Sequence, residues 1–286
     1  RLEPQSSGSS SITANKIIRF SLPSNCLLNT RGISFHFNAD ANNVAAAGGR
    51  LPADIAGLID RVELSSGGIQ IAQGANGYGL INQMRKCLTV DKCDVALGHP
   101  EIVRTKSYLD STTNGTNFGY GDYATGATTV LATTKNENYR NDNGQTPFAI
   151  HDWEGFLGSV QPAIIDTSLL SDLTLTIYLA GNEVCSSSAG VALEGTGAAD
   201  ITDVNGSTQA QFTVRDFHLI VETLGLADSV YDMMIEKRIS QVGYIELPYK
   251  SYYSFNDTHS GTTRFTVATQ SLDRVWATFR ASTYAS

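Results

Sequence analysis

Apolar and polar residues alternate with a period of two in several separate stretches of the chain, and this pattern limits the folds open to it. The stretch 173–179 is the clearest case, because every second residue is Leu or Ile and the residues between them are Thr or Tyr. Lys16–Leu22 and Ile33–Phe37 alternate in the same way. Strands of this kind have one buried and one solvated face, as in antiparallel sheets.

Two further stretches predict a hairpin and a bent strand. Residues 61–73 alternate on both sides of a Ser-Ser-Gly-Gly turn, which is typical of a β-hairpin. In Phe212–Glu222 the apolar phase changes across Arg215-Asp216, which predicts a bulge at that point.

Helical patterns are few and short, and the loops are long. Residues 78–88 carry apolar side chains at helical spacing, and a second short helix is predicted to begin at Asp228 or Ser229. The stretches 107–145 and 181–210 are rich in small and polar residues and are predicted to be surface loops. Many strands, few helices and long loops favour an all-β antiparallel sandwich over any α/β fold.

Composition argues against several functional classes. The net charge is −8, only 17% of residues are charged, and Lys and Arg do not cluster, so direct nucleic acid binding is not expected. No apolar run approaches the ~18 residues of a transmembrane segment. The cysteines are too few and too irregularly spaced for a disulfide framework, and free thiols are expected. They are Cys26, Cys87, Cys93 and Cys185.

The sequence contains no motif for catalysis or for cofactor binding. There is no nucleophile elbow and no phosphate-binding loop, and the histidines lack the paired spacing of metal ligands. The five histidines are His36, His99, His151, His218 and His259. We therefore predict that the protein is not an enzyme and has no catalytic residue, no metal site and no cofactor.

Two alternatives remain open at this point. Asp152 and Glu154 flank Trp153, an arrangement that could place two carboxylates beside a sugar-stacking ring, as in a glycosidase. A solvated strand edge explains these carboxylates more simply. Trp153 or the face Tyr249–Tyr253 could also be the stacking platform of a secreted or surface β-sandwich that binds carbohydrate or acts in adhesion.

A short internal repeat predicts a second structural unit near the C-terminus. Residues 19–22 and 31–35 are echoed in the same order by 264–267 and 274–279. Both copies are interpreted as strand, loop and strand.

This repeat divides the chain into three predicted parts. Residues 1–15 form an N-terminal arm, and 16–238 form a first sandwich that contains both long loops. Residues 239–286 begin a second sandwich, which is too short to enclose its own core. The chain is therefore expected to be part of a longer polypeptide.

The predicted elements follow one another in a definite order. They are Lys16–Leu22, Ile33–Phe37, Leu58–Leu64 with the Gly67-Gly68 turn, Phe156–Gly158, Ile164–Asp166, Leu173–Leu179, Phe212–Glu222, Tyr231 and Tyr244–Arg280. This order resembles the double jelly-roll major capsid proteins of icosahedral double-stranded DNA viruses, and is most similar to those of polinton-like viruses and virophages.

The resemblance implies a jelly-roll sandwich followed by the first strands of a second, incomplete jelly roll. It also implies self-association into trimeric, pseudo-hexameric capsomers of an icosahedral shell, with neighbouring capsomers, penton proteins and minor capsid proteins as partners. The protein would be assembled inside the host cell and located in the virion. Aromatic side chains are common at interfaces, so four are candidate subunit contacts. They are Tyr249, Tyr252, Tyr253 and Trp276.

Overall fold

A computed structural model describes most of the chain outside the first long loop. The described residues are 1–5, 11–42, 49–52, 54–74, 76–89, 146–187, 211–225, 229–255, 257, 261–262 and 264–278. The strands among them are β1 (Ser11–Thr13), β2 (Ile17–Ser21), β3 (Leu27–Asn42), β4 (Gly49–Arg50), β5 (Ile59–Ser66), β6 (Ile69–Ala72), β7 (Thr146–Ile150), β8 (Ile164–Asp166), β9 (Leu173–Leu179), β10 (Ser186–Ser187) and β11 (Gln211–Leu224). The α-helices are α1 (Tyr78–Thr89), α2 (Phe156–Ser159) and α3 (Ser229–Val242).

Two antiparallel sheets form the body of the protein. Sheet A has the order β1-β11-β3-β7, with β8 also paired to β3, and sheet B has the order β2-β9-β5-β6. The pairs are nested along the chain, since β1 pairs with β11, β2 with β9, β3 with β7 and β5 with β6. A chain folded back on itself in this way has the topology of a jelly roll. The predicted all-β antiparallel jelly-roll sandwich with short helices is confirmed.

The core lies between the two sheets and contains the residues that the alternating pattern predicted to be buried. Ile18 and Phe20 of β2 and Phe35 of β3 are at most 1% exposed. The Phe20 and Phe35 rings meet edge to face with centroids 5.9 Å apart, so they join sheet B to sheet A. Such aromatic contacts add to the large area that each ring buries.

The predicted hairpin and the predicted bulge are both present. Strands β5 and β6 pair across a turn in which Gly67 has φ 53° and Gly68 has φ 82°, a conformation that glycine adopts without steric cost. The pairing of β11 with β3 shifts register between Arg215 and His218, and Asp216 has φ 51°. The bulge explains why the apolar phase of this strand changes.

The first residues of the chain contribute to sheet A. Within the predicted arm 1–15, β1 pairs with the first part of β11. Leu2 forms a further antiparallel bridge to Leu219. This stretch therefore supplies the outer strand that pairs the beginning of the jelly roll with its end.

The segment after α3 differs from expectation. The helix continues past Arg238 to Val242, and the described residues of 243–278 contain no strand. The first strands of a second jelly roll, expected at 245–247, 264–267 and 274–279, are therefore not formed in the described part. A strand needs a paired neighbour and a covered apolar face. Here Phe265 and Val275 are 53% and 59% exposed.

The long loops fall largely outside the described residues. This applies to all of 107–145 and to 188–210 of the second loop, whereas 182–184 form a 3-10 turn that leads into β10. Of the helices that the structure describes, none is long and apolar enough to cross a membrane.

Candidate functional site

Residues 247–252, here called the strap, lie against the jelly roll beside sheet B. The carbonyl of Pro248 accepts a hydrogen bond from the Gln161 backbone N–H at 3.0 Å. The backbone N–H of Lys250 donates to Oγ of Ser159 at 2.8 Å. These contacts attach the strap backbone to the end of α2 and the residues that follow it.

Tyr249 is the aromatic anchor of the strap. Its ring meets Phe156 of α2 edge to face, with centroids 5.1 Å apart. Its hydroxyl donates a hydrogen bond to the carbonyl of Ile71 in β6 at 3.0 Å. Because Tyr249 contacts both α2 and β6, it fixes the strap to two elements at once.

Tyr252 connects the strap to a buried carboxylate and to the segment beyond it. Its hydroxyl donates to Oε2 of Glu154 at 2.9 Å. Its ring stacks on Trp276, with centroids 6.0 Å apart and an interplanar angle of 15°. Burial is the main cause that raises the pKa of Tyr252 above its usual value, and the negative charge of Glu154 is the second. The phenol therefore stays protonated and remains a hydrogen-bond donor.

Arg85 of α1 is the centre of an ion-pair cluster next to the strap. It pairs with both Asp152 and Glu154, and the Glu154 side chain is only 6% exposed. Burial raises the pKa of Glu154, and the opposite charge of Arg85 offsets part of that effect. The backbone N–H of Glu154 donates to the hydroxyl of Tyr78 at 2.9 Å, which fixes the loop carrying both carboxylates.

This geometry does not suit the glycosidase alternative. In a glycosidase, two carboxylates face a sugar from opposite sides. Here Asp152 and Glu154 both bind the same guanidinium group. Trp153 is 3% exposed and donates a hydrogen bond from its ring to the carbonyl of Ile33 at 2.7 Å, so it is a core residue and not a stacking platform.

A cleft of about 310 Å³ lies beside the strap. Its apolar lining comes from β5, β6, β9, α1 and α2, and its polar lining includes Glu154 and the amides of Gln70 and Gln73. Tyr249, Tyr252 and Tyr253 line the side formed by the strap and the residue after it. Of these three, Tyr253 is the most exposed, at 65%.

The structure thus brings the four predicted contact residues to one side of the jelly roll but gives them different environments. Tyr249 and Tyr252 bind groups of their own chain through their hydroxyls, and Trp276 stacks on Tyr252. Tyr253 leaves most of its surface free. Their role as contacts between subunits stays a prediction.

Histidines that look isolated in the sequence come together on sheet A. His36 of β3 lies opposite His218 of β11, and the rings stack with centroids 5.4 Å apart and an interplanar angle of 13°. Nε2 of His36 is 2.9 Å from Oγ of Ser34. Only the pairing of β3 with β11 brings the two histidines together, so no spacing rule could find them. Among the described residues, no group of three or more acidic, His or Cys side chains could hold a metal ion.

The stability of the protein is expected to fall in mild acid because of His36. Burial, then the charges of His218 and His151, lower the pKa of His36 below its ordinary value of 6.5. The unfolded chain binds this proton more readily, so the free energy of unfolding decreases as the pH drops through the unfolded pKa of about 6.5. Urea unfolding of wild type and His36→Gln at about pH 7.5 and about pH 5.5 measures the effect.

The His36→Gln variant should lose less stability than wild type between the two pH values. Ser34→Ala is the matched control, because it removes the hydrogen-bond partner of His36 and keeps both stacked rings. Equal acid sensitivity in wild type and His36→Gln would contradict this prediction.

The thiols agree with the expectation of free cysteines where the structure describes them. Cys26 and Cys185 are free thiols, and burial raises the pKa of Cys185 to about 12, so this thiol is unreactive at neutral pH. Cys93 and the side chain of Cys87 lie outside the described part. His99 and His259 lie outside it as well.

Comparisons with known proteins give matches among solved structures and not among family models or curated proteins. No protein-family model and no curated protein matches the chain. Among solved structures, the chain is similar to a quasi-atomic model of the PBCV-1 virus capsid, with a TM-score of 0.26 and 12% sequence identity. The match covers 78% of this chain and 43% of that chain, so this chain spans less than half the length of its neighbour. The fold assignment therefore rests on the strand topology described above.

Proposed function

We propose that the protein is a structural subunit of a viral capsid whose activity is self-assembly. In this proposal, three copies form a pseudo-hexameric capsomer, and capsomers tile an icosahedral shell together with penton and minor capsid proteins. The protein is then located in the virion, is assembled inside the host cell, and performs no catalysis.

One observation carries this proposal. The jelly roll is followed by a segment whose large apolar side chains remain mostly exposed in the single chain. The exposed fractions are 65% for Tyr253, 54% for Phe255, 53% for Phe265, 60% for Leu272 and 59% for Val275. Exposed apolar side chains grouped in one segment are typical of an interaction surface. A subunit that is covered by neighbouring copies would bury them.

The jelly roll itself suits a role in assembly. Nested pairing joins β1 to β11, so the beginning and the end of the jelly roll are held together in one sheet. Copies would then meet through side-chain surfaces, and closed symmetry would limit the size of the assembly.

The native mass of the protein tests the proposal. We expect trimers or larger shells by light scattering and negative-stain microscopy, with the mass of the chain measured by mass spectrometry. Changing Phe255 and Phe265 together to serine should shift the population toward monomers. The matched control is Ile69→Ser, because Ile69 on β6 is also apolar and is 75% exposed. This variant should assemble normally. A stable monomer of 30.7 kDa under all conditions would overturn the proposal.

A second candidate function is a secreted or surface β-sandwich that binds carbohydrate or acts in adhesion. It is favoured by the cleft, where Tyr253 and the amides of Gln70 and Gln73 share one lining. Aromatic rings and amides are groups that can stack on sugars and hydrogen-bond to them. Glycan-array binding by a monomeric protein, lost in Tyr253→Ala, would support this candidate over the capsid subunit.

A further inference from the structure

We propose that the strap is exchanged between copies, so that residues 247–252 of one copy occupy the docking site on the jelly roll of another copy. The docking site consists of Ile71, Glu154, Phe156, Ser159 and Gln161. This inference rests on the proposed function, because the partner that it names is a second copy of the chain.

All the strap groups that bind the docking site lie within residues 247–252. The strap supplies one carbonyl, one backbone N–H and the side chains of Tyr249 and Tyr252. The jelly roll supplies their partners from β6, the loop after β7, and α2 with the residues that follow. A strap that arrives from another copy can make the same contacts, which is the condition for exchanging an identical element.

The connection to the strap does little to hold it on its own jelly roll. Most described side chains of α3 are exposed, including Met233 at 62% and Met234 at 66%. The helix has 14 residues and is therefore about 21 Å long. A helix that buries little surface on the jelly roll does not determine which docking site its strap reaches.

Gly243 provides a pivot between α3 and the strap. It has φ 85°, and its N–H donates to the carbonyl of Ile239 at 2.8 Å, which ends the helix. Glycine can leave this conformation for others without steric cost. The direction in which the chain departs from α3 can therefore change while α3 and the strap keep their own structures.

Close packing of copies favours exchange. A tethered strap benefits from a high effective concentration at its own docking site. When copies are held side by side in an assembly, the docking site of a neighbour is presented at a comparable effective concentration. Exchange then adds a link between copies and creates no new type of contact.

A disulfide between two different chains tests the proposal. Oγ of Ser159 is 2.8 Å from the backbone N of Lys250, so a cysteine side chain at position 159 would lie next to the backbone of residue 250. One chain carries Ser159→Cys and the other carries Lys250→Cys, each with the four native cysteines changed to serine. The two chains are co-expressed, oxidised and examined on a non-reducing gel, beside light scattering of the same sample.

We expect a covalent heterodimer as a major product. The matched control carries Ser168→Cys in place of Ser159→Cys. Ser168 is exposed, and its hydroxyl donates a hydrogen bond to Asp166 and not to the strap. This control should give little heterodimer. A chain that carries both Ser159→Cys and Lys250→Cys verifies that the disulfide geometry is attainable. Assemblies that form without the heterodimer would overturn strap exchange alone. Monomers without it would overturn the proposed function together with the exchange.

Discussion

Replacing Arg85 with alanine is expected to lower the free energy of unfolding by about 3 kcal/mol. The variant would leave Glu154 buried without the cation that now neutralises it. Among the side chains that the structure describes, the hydroxyl of Tyr252 would remain as a donor to this carboxylate. A single neutral hydrogen bond does not replace an ion pair in a buried site. Urea unfolding near neutral pH, followed by tryptophan fluorescence, measures the change.

Two further variants show whether the unpaired charge is the cause. Arg85→Ala combined with Glu154→Gln removes the charge that the single variant leaves unpaired, and it should recover part of the lost stability. Arg1→Ala removes an arginine from an ion pair whose side chains are 61% and 62% exposed, and it should change stability by less than about 1 kcal/mol. If Arg85→Ala were no more harmful than Arg1→Ala, the cluster would not be a structural ion-pair network.

The sandwich could be predicted because several of its strands carry their own pattern. Alternation within Lys16–Leu22 or Leu173–Leu179 is sufficient to assign a strand and its buried face. The change of phase at Arg215-Asp216 is equally local, and it located the bulge. These features need no knowledge of which strands become neighbours.

The candidate site could be predicted only in fragments, because long-range pairing builds it. Arg85 and Glu154 are 69 residues apart in the chain, and Glu154 and Tyr252 are 98 apart. The sequence drew attention to Glu154 and Tyr252 separately, for reasons unrelated to their contact. Arg85 belongs to no sequence motif, since a single arginine at a helical position has no distinctive spacing.

The C-terminal segment shows the opposite failure. Its alternating residues predicted strands. Alternation indicates which side chains a strand would bury, but it does not show that a partner strand is present. In the described residues no strand is formed around Phe265 or Val275. The Phe265 ring stacks on Phe255, but Phe265 and Val275 are still more than half exposed. Local pattern therefore predicts the faces of a strand, whereas pairing decides whether the strand forms.

Replacing Phe35 with alanine is expected to lower the free energy of unfolding by about 4 kcal/mol. Phe35 is 1% exposed and lies between Phe20 of sheet B and Phe37 of its own strand, with ring centroids 5.9 Å and 4.8 Å away. Removing its ring would leave a cavity where the two sheets meet, and two aromatic contacts would be lost. The urea midpoint of the variant measures the cost, with the slope of the transition checked against wild type.

Two control variants show whether the lost stability of Phe35→Ala comes from core packing or from the removal of any apolar side chain. Ile69→Ala removes an apolar side chain that is 75% exposed on β6, and it should change stability by less than about 0.5 kcal/mol. Phe35→Leu keeps most of the apolar volume and should cost clearly less than Phe35→Ala. Since the proposed assembly requires folded jelly rolls, Phe35→Ala should also reduce the yield of assembled particles. Normal stability in Phe35→Ala would contradict the assignment of this ring to the contact between the sheets.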